Sequence, residues 1–220
     1  MAQRITRIRG TSEASIQEPH RLMADHIVKE KKISLVKKTN RKAWRASIEK
    51  VLLSETQIQS RVRRLARTIE NDYRGKDLVI VSLLNGTVLF LADLIRQIDI
   101  PLRLDFIGVS SYRGGTSSRS LFFTKELQLD VQGRDVLLVD DILDTGKTLD
   151  RVTRRLLKLR PRRLKICVLL KKEVKRLKPV EANYVGFVIP DLFVVGYGLD
   201  YAERFRNLPF LGILKHPTSL

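Results

Sequence analysis

Apolar positions along this chain recur at helical spacing in some stretches and in short unbroken runs in others, and the two kinds alternate. Ile58, Val62, Leu65, Ile69 and Tyr73 follow one another at three- and four-residue intervals until Gly75 closes the stretch. Ser54 and Gln57 stand ahead of them with the spacing of a capping box, in which each side chain satisfies the other's backbone donor. The pattern predicts an amphipathic helix. The run Leu78–Leu83 reads as a buried strand, Asn85–Gly86 as a break, Val88–Ile98 as a second helix and Leu102–Val109 as another strand. A polar loop follows with Ser110, Ser111, Gly114, Gly115, Thr116, Ser117 and Ser118. Then come a buried strand at Val136–Val139, a helix from about Thr148 to Leu159 and a strand at Leu164–Leu170. Buried strands alternating with helices predict an α/β fold with a mostly parallel sheet flanked by helices. Tyr184–Val188 and Phe193–Gly196 look too irregular for another strand–helix–strand unit and are expected to cap the sheet. The chain shows no internal repeat.

Composition narrows the class. At 220 residues, one domain is the better expectation, and 43% hydrophobic with 30% charged residues excludes collagen-like, mucin-like and wholly disordered chains. The single cysteine, Cys167, cannot close an intrachain disulfide, and its setting in LKICVLL predicts a buried strand, so a reducing cytoplasm is the expected location. No apolar run approaches the roughly 18–20 residues of a membrane span, and MAQRITRIRG lacks the apolar stretch of a secretory signal. No membrane association is expected.

Charge brings in polyanions. Lys and Arg number 42 against 24 Asp and Glu, a net +18, which places nucleic acid or polyphosphate among the partner classes. Residues 1–46 hold 12 Lys/Arg and 4 Asp/Glu, with the runs KEKK and VKKTNRK and the pair Trp44–Arg45 lying among Ser, Thr and Gln. Only Ile27–Val36 there has the pattern of a short helix. The segment reads as a mobile basic arm ahead of a domain over 47–220, with the domain start near Ser47. Two readings of the arm stay open, a solvated extension and a nucleic-acid tether.

The most informative segment is VLLVDDILDTGKTL, residues 136–149, in which an apolar strand is expected to end at Asp140–Asp141. Four residues after Asp140 the chain reaches Asp144, Thr145, Gly146, Lys147 and Thr148, where a helix starts. Ligands of open α/β sheets bind at this carboxyl end of the strands. Gly146 lets backbone amides approach closely, Thr145 and Thr148 add hydroxyls, and the helix start adds partial positive charge, a combination suited to a phosphate monoester. The two carboxylates ahead of it suit sugar hydroxyls or a metal. A Walker loop, GxxxxGK[ST], needs an earlier glycine in register with Gly146, and none is present, which sets an ATPase aside. His20, His26 and His216 show no ligand spacing.

VLLVDDILDTGKT resembles the phosphoribosyl-pyrophosphate (PRPP) signature of the type I phosphoribosyltransferases, and its Asp144 variant resembles the hypoxanthine-guanine branch. VLLSETQIQSRV, LLNG, DFIGVSSYRGGT and VGFVIPDLFVVGYGLDYAERFRNLP stand in the family's order, so the resemblance covers most of 48–214. It implies the family's fold, a mostly parallel twisted sheet with a small hood formed mainly by the C-terminal part. It also implies that Thr145, Gly146, Lys147 and Thr148 hold the 5′-phosphate, and that Asp140 and Asp141 bind ribose hydroxyls or reach magnesium through water. The family usually has Glu then Asp here, so Asp140 is shorter by one methylene. Asp144 corresponds to the general base that takes the purine's imidazole proton. Lys172 corresponds to the lysine that reads the 6-oxo group, Phe193 to the aromatic stacked on the base, and Val194 to the residue whose backbone meets the base edge. Asp200 corresponds to a Mg2+ ligand and Arg206 to the arginine on pyrophosphate. Leu84, Asn85 and Gly86 fall on the pyrophosphate loop, where Asn85 replaces a frequent basic residue and a cis peptide is expected. Ser111 and Tyr112 open the lid over the reacting centre.

The resemblance therefore implies a Mg2+-dependent enzyme of purine salvage that makes IMP or GMP and pyrophosphate from PRPP and hypoxanthine or guanine, as a homodimer or homotetramer. Two alternatives remain at this level. One is xanthine as the base. The other is a non-catalytic regulator on the same fold that senses PRPP or nucleotides and binds nucleic acid through its basic surface.

Overall fold

A computed structural model of the chain describes residues 47–111, 121–175 and 177–215. The expectations for the arm, for Tyr112 and for most of the polar loop lie outside the described residues. The elements in chain order are β1 (Ile48–Leu53), α1 (Glu55–Tyr73), β2 (Leu78–Leu84), α2 (Val88–Ile95), β3 (Leu102–Ser111) and β4 (Leu121–Lys125). They continue with β5 (Asp135–Leu143), α3 (Lys147–Lys158), β6 (Arg163–Lys172), β7 (Tyr184–Ile189), β8 (Val194–Val195) and β9 (Leu211–Leu214).

The main sheet has the order β4-β3-β2-β5-β6-β7, with β3, β2, β5, β6 and β7 parallel and β4 antiparallel at one edge. Strand alternation sends successive side chains to opposite faces. Leu78 and Ile80 of β2 and Leu137 and Val139 of β5 pack under α1 and α2 on one face. Val79, Val81, Val136 and Leu138 pack against Leu149, Val152 and Leu156 of α3 on the other. A central sheet buried on both faces explains why its strands read as unbroken apolar runs. The capping box at the start of α1 is formed as expected, with the Gln57 amide nitrogen donating to Ser54 Oγ at 3.4 Å and the Ser54 amide to Gln57 Oε1 at 2.9 Å.

Several boundaries differ from the sequence pattern. α2 stops at Ile95, because Gln97 and Ile98 turn back onto the carbonyls of Leu94 and Ile95 with three-residue bonds. β5 does not end at Asp140–Asp141: pairing with β6 continues through Ile142↔Leu170 and Leu143↔Lys171. Tyr184–Val188 is no cap but part of β7, a full edge strand whose carbonyls at Val185 and Gly186 accept from the Arg61 guanidinium of α1. β3 and β4 pair from Gly108↔Lys125 to Ser111↔Leu121, so Ser110 and Ser111 of the polar stretch belong to β3. A second sheet, β1-β9-β8, forms the hood, so the residues just after Ser47 join it with the C-terminal strands. Tyr197 ties the hood to α2 by donating to Asp93 Oδ2 at 2.7 Å.

Candidate active site

From β2 the chain runs through α2 to β3 on one side, and from β5 through α3 to β6 on the other. The strand order therefore reverses between β2 and β5, and the crevice at their carboxyl ends is where open α/β sheets bind ligands. A cleft of about 310 Å³ lies there, lined by Leu83, Leu84, Gly86 and Thr87 at and just after the end of β2, by Val109 of β3 and by Asp140 to Leu149.

Its floor is acidic. Asp140 is buried, and its Oδ1 accepts from the Thr87 hydroxyl at 3.1 Å and from the Asp141 amide at 3.0 Å. Burial, and next the neighbouring Asp141 charge, push the Asp140 carboxyl well above the usual carboxylate range, against the pull of those two donors. Burial also raises Asp141, with Arg206 among the groups opposing it. The pair is thus poised to welcome donors, such as sugar hydroxyls, or a cation.

The phosphate loop follows. Gly146 sits at φ +81° directly before α3, where a side chain is strained, and a Cβ there would come within 2.8 Å of the Lys178 carbonyl. The loop is braced from outside, since the amides of Leu177 and Lys178 donate to the Thr145 carbonyl at 3.1 and 3.3 Å. Thr145 and Lys147 are exposed at the mouth. Backbone amides at a helix start, unopposed by side-chain bulk, are the kind of arrangement that accepts an anion.

A turn with a cis Leu84–Asn85 peptide closes the opposite wall. Gly86 is pressed against the floor: a Cβ would stand 1.9 Å from Asp141 Oδ2. Gly198, at φ +100°, presses on the same turn, and its Cβ would stand 1.9 Å from the Gly86 carbonyl oxygen. Hood, turn and acidic floor therefore meet at backbone distance. Arg206 lies along this seam, donating to the Gly198 carbonyl at 2.9 Å and pairing with Asp200 and Glu203 at 2.9 Å each.

Beside the phosphate loop, Lys172 at the end of β6 reaches Asp144 Oδ2 at 3.4 Å and Asp191 Oδ1 at 3.1 Å, with its side chain only 11% exposed. Phe193 is 47% exposed and meets the Tyr201 ring edge to face at 5.6 Å. Val194 is buried and paired with Ile213 of β9. Lys172, Phe193, Val194, Asp200 and Arg206 do not line the cleft itself. Lys172 is joined to it through Asp144, and Arg206, paired with Asp200, through Gly198. Ser111 ends β3.

Sequence reasoning did not single out Thr87, Asp191, Gly198 or the brace at 177–178. Asp191, two residues before Phe193 in the chain, was the most accessible of these; the others depend on contacts between distant segments.

Among the described residues no three His, Cys, Asp or Glu are grouped to hold a metal. Asp200 on one side and the Asp140–Asp141 pair on the other each offer the one or two carboxylates that Mg2+ takes alongside phosphate oxygens and waters.

Comparison with known proteins agrees with this geometry. The model of the phosphoribosyl transferase domain matches residues 51–202, and the chain belongs to that family. Within it, the chain is similar to the hypoxanthine-guanine phosphoribosyltransferase of Mycobacterium tuberculosis (strain ATCC 25618 / H37Rv), at 47% identity over 174 residues, 76% of this chain and 86% of that protein. It is similar to the hypoxanthine phosphoribosyltransferase structure from Staphylococcus aureus, with TM-score 0.75 and 45% identity over 79% of this chain and 95% of that one. It also matches the bifunctional protein TilS/HprT of Listeria monocytogenes serotype 4b (strain F2365) at 46% identity over 76% of this chain, and there it spans only 26% of the relative's length.

Proposed function

We propose that the protein transfers the phosphoribosyl group of PRPP to hypoxanthine or guanine, releasing pyrophosphate and giving IMP or GMP. The observation that carries this reading is the 3.4 Å approach of Lys172 Nζ to Asp144 Oδ2 beside an anion-binding loop. A 6-oxopurine presents its O6 and N7 side by side on one edge. An ammonium and a carboxylate at this spacing match them, one donating to O6 and the other taking the imidazole proton. An exocyclic amine in place of O6 would face the ammonium with donor against donor, which disfavours adenine.

The remaining residues fall into place around that edge. Phe193 offers an exposed ring for the base to stack on, and the backbone of Val194 borders it. Thr145, Gly146, Lys147 and Thr148 hold the 5′-phosphate, and Asp140 and Asp141 accept the ribose hydroxyls, whose protons offset the repulsion between the two carboxylates. The amides of Leu84, Asn85 and Gly86 and the fork of Arg206 take the pyrophosphate. The base nitrogen bonds to the anomeric carbon as the carbon–oxygen bond to pyrophosphate breaks, and the imidazole proton passes to Asp144. Ser111 and Tyr112 mark the lid that keeps water from the cationic centre. Asp200, together with the substrate's own oxygens, would hold Mg2+, which would supply charge neutralisation at the leaving group.

The proposed setting is the cytoplasm, in keeping with the unpaired, buried Cys167, and the proposed assembly is a homodimer or homotetramer. Residues 1–46 lie outside the family match and receive no role in transfer. Incubating the protein with PRPP, Mg2+ and each purine in turn tests the proposal. Nucleotide formation from hypoxanthine or guanine is expected, and release of pyrophosphate with no purine nucleotide formed would contradict it.

A further inference from the structure

A dense run of positive charge lies on α3 and the turn behind it. Residues 147–165, KTLDRVTRRLLKLRPRRLK, hold nine Lys/Arg and a single acid, Asp150. Lys147, Arg151, Arg154, Arg155 and Lys158 are spaced four, three, one and three residues apart, which at 3.6 residues per turn places all five within about 100° of one helix face. The opposite face carries Leu149, Val152 and Leu156, all buried against the sheet. The five cations are exposed.

Local acids do not cancel the row. Arg154 pairs with Asp150 at 3.0 Å while remaining 66% exposed, and Arg155 pairs with Glu126 at 2.5 Å while remaining 46% exposed. Exposed pairs of this kind are weak and exchange readily with a phosphate oxygen. The row is also partly preorganised. The Phe123 ring of β4 lies 4.6 Å from the Arg155 guanidinium and 5.8 Å from that of Arg151, so both guanidinium groups have a shared ring to rest on.

We propose that this α3 face binds a nucleic-acid strand through its phosphate backbone, without base specificity and apart from the transfer reaction. From Lys147 to Lys158 the row runs about 16 Å at the helical rise of 1.5 Å per residue. α3 itself carries no aromatic ring, and the Phe123 ring beside it is occupied by Arg151 and Arg155, so the face offers phosphate contacts in preference to base stacking. Leu157 and Leu159 are exposed at its margin, which makes an anionic membrane surface the rival partner.

The test is fluorescence anisotropy of a labelled single-stranded oligonucleotide titrated with the full chain at several salt concentrations. Three proteins are compared: the native chain, Arg151→Gln/Arg154→Gln/Lys158→Gln, and a charge-matched control, Arg63→Gln/Arg64→Gln/Arg67→Gln, on the exposed face of α1. The α3 variant is expected to lower the magnitude of the slope of log K against log salt by about 2, at roughly 0.7 per lost phosphate contact. The control is expected to keep the native slope, and Arg151→Lys/Arg154→Lys to keep it too. Both Gln variants should melt near the native temperature and retain phosphoribosyl transfer. No binding by the native chain, equal loss of slope in both Gln variants, or an unchanged slope in the α3 variant would overturn the proposal. So would capture by phosphatidylglycerol vesicles without binding of the oligonucleotide.

Discussion

The ammonium of Lys172 lies 3.4 Å from the carboxylate of Asp144, so the end of β6 and the phosphate loop after β5 share one ion pair. Asp191 also holds this ammonium, at 3.1 Å, which leaves Lys172 anchored when Asp144 turns to a substrate proton. Replacing Asp144 with Asn keeps the shape and removes the proton acceptor. Single-turnover transfer to hypoxanthine is expected to slow by about 10²-fold or more, the usual share of general acid–base help, while PRPP binding measured by calorimetry persists.

Lys172→Met removes the donor to the 6-oxo group without changing the length of the side chain much. The KM for hypoxanthine is expected to rise by roughly tenfold or more, since a hydrogen bond to a charged group contributes about 1.5–3 kcal/mol. The KM for PRPP should move far less, and steady-state kinetics with each substrate varied in turn separates the two.

Gly198→Ala tests the seam between hood and turn. A Cβ at this position meets the Gly86 carbonyl at 1.9 Å with φ at +100°, so backbone must shift. A loss of about 1–3 kcal/mol in unfolding free energy is expected from urea melts, as for other overpacked sites, together with weaker pyrophosphate binding.

Two buried aspartates give opposite pH responses. Burial pulls Asp105 upward, but the amides of Leu129, Phe106 and Gln128 and the Lys125 ammonium outweigh it and hold its pKa at about 2. A depressed carboxyl stabilises the fold above the ordinary value of 3.8 and loses that contribution as pH falls toward 2. Asp105→Asn is therefore expected to cost roughly 2 kcal/mol at pH 7 and to flatten the acid limb of the stability curve. Asp140 is raised, so the folded state binds more protons than the unfolded chain above 3.8, and its contribution falls as pH rises from there. Asp140→Asn should make the ligand-free protein more stable at neutral pH while weakening PRPP binding. A less stable variant in urea melts at pH 7 would contradict the assignment of strain to this carboxylate.

What the sequence disclosed follows from the range of the interactions involved. The α1 cap needed only Ser54 and Gln57, three residues apart, and the phosphate loop only the order of residues from Val136 to Leu149, so both were legible as local patterns. The membership of β7 in the main sheet was not, because Tyr184–Ile189 is recruited by β6 and by Arg61, 124 and 125 residues away from the carbonyls it caps. Asp140 and Asp141 looked like the residues after a strand because they are charged. They remain inside β5 because Thr87, 53 residues earlier, and the Asp141 amide satisfy the buried carboxylate while the backbone continues to pair. The charge of α3 was visible all along as spacing, but it stood out only once the helix placed its cations on one face.

The central claim is recognition of a 6-oxopurine by the Lys172–Asp144 pair, and the most direct measurement is a competition. The protein is given PRPP, Mg2+ and equal hypoxanthine and adenine, and the nucleotides are separated by chromatography. The account expects IMP with almost no AMP. Comparable amounts of IMP and AMP, or AMP alone, would contradict it.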